Sequence, residues 1–376
     1  MAVSEDRIKI AYIIAHIDKA VGFEWIVERL DPKRFKVSFI LLNERPSYLA
    51  DYLRRNGIAV YEIPFARKSK IHRALWKTLR LLRRERPDVI HTHMLFADLV
   101  GQIAGRMANI RKRVYTRHSA NENRKYHNKQ WMDKLVNSMA THIVAISENV
   151  RRILVEEEGA DPKKIRLIHH GFDMQGFANV PTGEIESLTK KYNPNGRRPV
   201  IGVIARYVHW KGLQYIIPAF ESVLQQYPNA YLLLANAKSG SYKMEVDRLL
   251  STLPADSYFE IEFENNLFAL YRLFDVYVHT PIDPELEAFG QTYVEALAAG
   301  VPSVFTLSGI AKEFIQHGMN ALVVDFKNAE QIHQSMTRIL EDDKLRNALT
   351  TQGRTDVEKK FSIAQQITSL ESLYSE

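Results

Sequence analysis

The 376-residue chain has no cysteine. Disulfides, thiolate metal sites and a cysteine nucleophile are therefore excluded, and a reducing compartment fits. No stretch approaches the roughly 18 consecutive apolar residues of a bilayer span. The first residues, Met1–Lys9, are polar and run straight into an apolar segment, unlike a secretory signal, so a cytoplasmic location is expected. Gly-x-Gly, Gly-x4-Gly-Lys and Gly-x-Ser-x-Gly are all missing. Hydride transfer on a dinucleotide, P-loop chemistry and serine hydrolysis lose their signatures. No internal repeat or low-complexity tract is evident.

Charge is present in excess on one side. The chain carries a formal net charge of +7. Residues 1–180 hold 33 Lys and Arg against 20 Asp and Glu, and the remainder holds 18 against 24. The basic half calls for an anionic partner or substrate, because folding alone does not require it. Its densest stretch, Arg67 to Arg86, sets Lys70, Arg73, Lys77, Arg80, Arg83, Arg84 and Arg86 among Ile71, Leu75, Trp76, Leu79 and Leu82. Two readings stay open there: an interfacial helix drawn to anionic lipid, or a surface helix whose apolar stripe faces the core.

Short apolar runs alternate with helical periodicity from end to end. Ile8 to Ala15, Lys36 to Leu42, Ala59 to Ile63, Asp88 to His91, Arg113 to Thr116, Ile143 to Ile146 and Ile165 to Ile168 form a first series. A second comprises Val200 to Ala205, Ala230 to Ala235, Phe259 to Ile261, Val276 to Thr280, Ser303 to Phe305 and Ala321 to Asp325. Leu95 to Ile110 and Glu148 to Glu158 read as helices between strands. The pattern lapses across Phe172 to Gly183 and Tyr192 to Pro199, which places a linker near residues 173–184. The expected class is α/β, with two Rossmann-like doubly wound parallel sheets facing a cleft, at about residues 1–175 and 176–360.

Glu287 and Glu295 bracket a change from loop to helix at Gly290, in the run Glu287-Ala288-Phe289-Gly290-Gln291-Thr292-Tyr293-Val294-Glu295. One carboxylate precedes a helix N-terminus, the other lies inside it, and the amides of Phe289, Gly290 and Gln291 suit anionic oxygen. A second cluster, Arg206-Tyr207-Val208-His209-Trp210-Lys211-Gly212, follows the strand Val200 to Ala205. Two cations at the carboxyl edge of such a sheet suit a diphosphate.

The Glu-x7-Glu run, with Phe-Gly after the first Glu and Ala-Gly-Val-Pro at 299–302, resembles retaining nucleotide-sugar glycosyltransferases of family four, which have the GT-B fold. The resemblance covers nearly the whole chain, tightly over residues 200–325 and loosely before 140. It implies that Arg206 and Lys211 neutralise the leaving diphosphate. Glu295 would hold the ribose hydroxyls, and Glu287 with the amides of Phe289, Gly290 and Gln291 the sugar hydroxyls. It further implies that His118, in Thr116-Arg117-His118, lies beside the donor sugar, and that residues 361–376 form a helix crossing back to the N-terminal domain. His91 and His93 match a common family pattern; an approach to the acceptor and a structural role are equally open, and two histidines without further ligands at metal spacing do not make a zinc site.

Departures from the family pattern are local. Near residue 20, where paired glycines usually contact the diphosphate, this chain has Gly22 alone, still the candidate for a close backbone approach. Ala205 stands before Arg206 in place of a Gly, and His170 stands where Asn is usual in Ile168-His169-His170-Gly171-Phe172-Asp173. The loop Thr306-Leu307-Ser308-Gly309 has one glycine where two are common. No Asp-x-Asp occurs, the pair by which another glycosyltransferase fold holds a divalent metal, so neither metal nor cofactor is expected.

The expected activity is metal-independent retaining transfer of a hexose-type sugar from a nucleoside-diphosphate sugar to a glycan or lipid-linked anionic acceptor, with contact to an anionic membrane as a further expectation. The family implies that the departing phosphate helps deprotonate the acceptor, so no enzyme nucleophile is demanded. Two alternatives belong to other classes. A sugar-nucleotide epimerase of the same fold would need no acceptor. A nucleic-acid-binding protein would use the basic half, but that half lacks interleaved aromatics on a recognisable module, and no nucleic-acid partner is expected.

Overall fold

A computed structural model describes residues 7–65, 70–120, 130–237 and 240–376. The chain forms two compact units. One contains the residues up to Gly171 together with Ile363–Glu376, the other Phe172–Ser362. Arg67, the start of the basic stretch, lies outside the described residues.

In the first unit, β1 (Ile8–Ala15), β2 (Phe35–Asn43), β3 (Ala59–Pro64), β4 (Val89–His93), β5 (Lys112–Arg117), β6 (His142–Ala145) and β7 (Ile165–Leu167) make one parallel sheet in the order β3-β2-β1-β4-β5-β6-β7. β1 pairs with β2 from Ile8↔Phe35 to Ala15↔Leu42, and with β4 from Ile10↔Val89 to Ile14↔His93. Alternation along β1 builds two cores. Ile10, Tyr12 and Ile14 pack with Ile367, Leu370 and Tyr374, while Ala11, Ile13 and Ala15 pack with Leu79, Leu82, Val100 and Ala104. The C-terminal helix Ile363–Ser375 is thus part of this unit's core, and its Tyr374 hydroxyl lies 2.5 Å from that of Tyr12.

The basic helix Ile71–Glu85 docks through Ala74, Thr78, Leu79 and Leu82, so its apolar stripe faces the sheet. Trp76 is not part of that stripe. It stays 63% exposed, with Arg73, Lys77, Arg80, Arg83 and Arg84 also turned outward.

The second unit has β8 (Val200–Ile204), β9 (Tyr231–Ala235), β10 (Tyr258–Ile261), β11 (Val276–His279), β12 (Ser303–Phe305) and β13 (Leu322–Val323), ordered β10-β9-β8-β11-β12-β13. Every pairing is parallel. Strand order reverses between β8 and β11, so the loops leaving these strands diverge and open a crevice between them.

Two differences from the sequence reading have local causes. The first stretch expected to lack pattern, Phe172 to Gly183, holds the helix Met174–Ala178 and the start of the helix Thr182–Tyr192. Asp173 starts the first by accepting from the Gly176 amide, and Phe177 anchors it in the interior. A five-residue helix shows too few turns for periodicity to register. The expected helix Glu148–Glu158 instead starts as α-helix over Glu148–Arg152 and widens to a π turn over Ile153–Glu157.

Asp98 lies in the helix Leu95–Met107 and is 6% exposed. Thr92 donates to its Oδ1 at 2.7 Å, and burial raises its carboxyl from the usual 3.8 to about 8, against the opposing pull of that bond. Between those two values the unfolded chain ionises Asp98 while the folded chain keeps it protonated. Its contribution to stability is therefore full below about pH 4 and is lost as pH rises through about 8. Asp98→Asn keeps the acceptor for Thr92 and removes the titration. Its melting temperature should exceed that of the wild type at pH 8, with the gap closing near pH 4; parallel curves would mean that Asp98 is ionised in the fold.

Candidate active site

Three loops at the carboxyl edge of the second sheet are tied together by backbone. After β8, the Trp210 carbonyl accepts from the Ile282 amide at 3.0 Å, joining this loop to the one after β11. Gly212 makes the approach possible. Its φ is +81°, and a Cβ there would stand 2.0 Å from the Thr280 carbonyl oxygen. The loop after β12 joins through Thr306, whose hydroxyl donates to the Pro281 carbonyl at 2.7 Å, and through the Ile310 amide, which donates to the Phe289 carbonyl at 2.9 Å. Gly309, at φ +56°, lies against the Glu287 and Phe289 backbone, and a Cβ would come within 2.6 Å of the Phe289 oxygen.

This stitching delivers Lys211 to Glu287. Lys211 Nζ donates to Glu287 Oε1, and the same oxygen is 3.1 Å from His279 Nε2 at the end of β11. Glu287 is 6% exposed and His279 1%. Burial alone would raise the Glu287 carboxyl, but the Lys211 charge and the His279 bond outweigh it and hold the group down at about 2. The carboxylate is ionised. Burial keeps the His279 ring below its ordinary range, hence neutral, although its bond to Glu287 acts the other way.

Gly290, at φ +85°, is the N-cap of the helix Gln291–Ala298. The first amides of any such helix have no intrahelical acceptor. Phe289 is buried and Gln291 exposed. Glu295 lies in the next turn of the helix, buried at 9% exposure, and accepts from the Tyr271 hydroxyl at 2.8 Å. No cation among the described residues acts on it, and burial raises its carboxyl to about 7, the Tyr271 bond opposing. Arg206, just beyond β8, has an exposed side chain. Arg206, Lys211, Glu287, Gly290 and Glu295 therefore share one unit and one edge, at the switch between β8 and β11.

Gly22, His91, His93 and His118 belong to the first unit. Gly22 is in the first turn of the helix Val21–Arg29, and a Cβ there would meet nothing within 4 Å, so packing does not demand glycine. Both ring nitrogens of His91 are engaged, Nδ1 with the Tyr374 hydroxyl at 2.6 Å and Nε2 with Thr116 Oγ1 at 2.7 Å. That is a structural histidine, and burial puts its ring at about 3. His93 Nδ1 faces His118 Nε2 at 2.9 Å. The half-buried His118 ring stacks on His170 at 5.5 Å and 10°, and burial lowers it to about 4. Beside it Arg117 is locked from within: it donates to Asp133, to Glu158 at 2.7 Å and to the Ser119 carbonyl at 3.0 Å.

Sequence reasoning missed His279, Tyr271 and the Arg117 network. For His279 a signal was present, since it ends a strand next to the switch point and precedes Glu287 by eight positions. Tyr271 and the Arg117 partners come from remote segments that no local spacing connects. Among the described residues no group of three or more His, Cys, Asp or Glu could hold a metal ion, and no helix is long and apolar enough to cross a membrane.

The family model of Glycosyltransferase Family 4 matches residues 26–175, and that of Glycosyl transferases group 1 matches residues 184–356. The capsular polysaccharide biosynthesis glycosyltransferase CapM of Staphylococcus aureus is 25% identical over 81% of this chain and 80% of its own length. The UDP-Gal:alpha-D-GlcNAc-diphosphoundecaprenol alpha-1,3-galactosyltransferase of Escherichia coli is 21% identical over 92% and 90%. Among solved structures, Anabaena Alr3699/HepE in complex with UDP and glucose superposes with a TM-score of 0.83 at 19% identity, covering 98% of this chain and 100% of that one. That likeness bears on the fold. With two matched family models spanning most of its length and the two parallel sheets of the GT-B architecture, the chain belongs to the family-four glycosyltransferases.

Proposed function

We propose that the protein is a retaining hexosyltransferase that takes its sugar from a nucleoside diphosphate and passes it to an anionic glycan or lipid-linked acceptor without a metal ion. The observation that carries this reading is the Lys211–Glu287–His279 cluster at the switch point, where a cation and an ionised acceptor stand side by side. A sugar nucleotide presents the matching pair, a diphosphate and a ring of hydroxyls. Lys211 and Arg206 take the diphosphate; Glu287 and the amides around Gly290 take the sugar hydroxyls; Glu295 takes the ribose, and His118 the sugar. Donors held at this edge stabilise the charge that develops on the leaving phosphate. The activity of the Escherichia coli relative, galactosyl transfer from UDP-galactose to a diphosphoundecaprenol-linked sugar, supports a lipid-linked acceptor.

Lys211→Ala should lower turnover by about 10² to 10³, the scale of losing one preorganised donor. A folded variant with near-normal turnover refutes the diphosphate role. The natural donor is found first from thermal shifts with UDP, GDP, ADP and their sugars, since a ligand of the native state raises its melting temperature. Activity should persist in excess chelator, and a strict need for added divalent metal overturns the metal-free part.

The two glutamates should fail differently. Glu295→Ala weakens binding of the bare nucleoside diphosphate, while Glu287→Ala leaves it nearly intact and damages sugar transfer. Calorimetry of both variants with nucleotide and sugar nucleotide separates the roles, and equal losses for both ligands misplace one of them.

A membrane role rests on the outward face of Ile71–Glu85, where Trp76 stands among Arg73, Lys77 and Arg80. The protein should sediment with anionic liposomes at low salt, each basic residue near the surface contributing about 1 kcal/mol. Replacing Lys77, Arg80, Arg83 and Arg84 by Gln should release it. If the wild type ignores such liposomes, the basic half serves a soluble acceptor.

A further inference from the structure

Lys211 has two claims on it. In the structure it donates to Glu287 Oε1, whereas in the reading above, on which this inference rests, it also meets the donor's diphosphate. An ammonium drawn toward phosphate weakens its hold on the carboxylate, and a buried carboxylate short of donors is costly. His279 is placed to cover that cost. Its Nε2 lies 3.1 Å from the same oxygen, and because an ionised carboxylate only accepts, that nitrogen carries the proton and donates. The ring cannot drift: it is 1% exposed, meets Tyr293 edge to face at 4.7 Å and 80°, and lies parallel to Tyr277 at 6.4 Å and 15°. Being neutral, it supplies a donor without a second positive charge that would hold Glu287 too firmly or compete for the phosphate.

We infer that His279 is a positioning residue that keeps the Glu287 carboxylate paired and aimed while Lys211 turns to the diphosphate of the donor. A core histidine that only fills space would be replaced by leucine without effect on ligands. A hand-over donor would not.

Three proteins decide between these: wild type, His279→Leu and His279→Gln, the last placing an amide N–H near the site of Nε2. Calorimetry uses inorganic pyrophosphate, UDP, GDP, ADP and the glucose conjugates of the three nucleotides. For those the wild type binds, His279→Leu should bind about tenfold more weakly, the worth of one hydrogen bond to a charged group, and His279→Gln should return close to wild type. If wild type binds and His279→Leu binds equally well, this inference fails and the nucleotide-sugar reading stands. If wild type binds none of these ligands, the nucleotide-sugar reading fails and takes the inference with it. A nitrogen-15 spectrum of histidine-labelled wild type gives a check that needs neither ligand nor variant. His279 should show a protonated Nε2 and a bare Nδ1, and the opposite tautomer overturns the inference even where His279→Leu does not fold.

Discussion

Lys211 and His279 both reach Oε1 of the buried Glu287 carboxylate and together hold it ionised. Desolvation opposes the charge, so the donors must be held in place by something stiffer than side-chain preference. That stiffness is backbone. The Trp210–Ile282 and Phe289–Ile310 hydrogen bonds and the left-handed Gly212 and Gly309 fix the loops after β8, β11 and β12 against one another. Because strand order reverses between β8 and β11, the loops leaving these strands diverge at the sheet edge. The topology makes the crevice, the glycines let the loops close on it, and the paired charges occupy it.

The first sheet answers the same topology with different chemistry. His93 leaves the end of β4 and His118 follows β5, and both are joined through ring nitrogens at 2.9 Å. Burial drives His91, His118 and His170 to about 3, 4 and 3, so these rings are neutral at physiological pH. None of them supplies the net positive charge of the N-terminal half. Among the described residues that charge stands on faces such as the outward side of Ile71–Glu85, while the buried Arg117 is consumed by Asp133 and Glu158.

Much of this was legible in the sequence. The strands of both sheets appear as apolar runs within a residue or two of their ends, because parallel strands covered on both faces are continuously apolar and short. Gly290 marked the turn from loop to helix, and the Arg206 to Gly212 run fell after a strand as read. What stayed hidden depends on remote pairing. Tyr271 precedes Glu295 by 24 residues and Tyr12 lies 362 from Tyr374, distances over which no periodicity carries information. Arg206 and Lys211, read together as a pair of cations, part company in the structure: one is exposed, the other is paired with Glu287.

The contrast between Glu287 and Glu295 follows from partners rather than depth, since both are buried. Glu287 has a cation and an imidazole N–H and is held at about 2; Glu295 has one phenol and rises to about 7. A phenol donates a hydrogen bond but brings no charge, so it offsets only part of the desolvation. Near neutral pH Glu295 therefore sits at the boundary between accepting and donating, and a ribose hydroxyl, which can do either, suits a group in both states. A phosphate would not: it needs donors, and it repels the ionised form. The two carboxylates of the Glu-x7-Glu run are chemically unequal before any ligand arrives, and that inequality fits a division of labour in which one meets the sugar beside the charged phosphates and the other the nucleoside away from them.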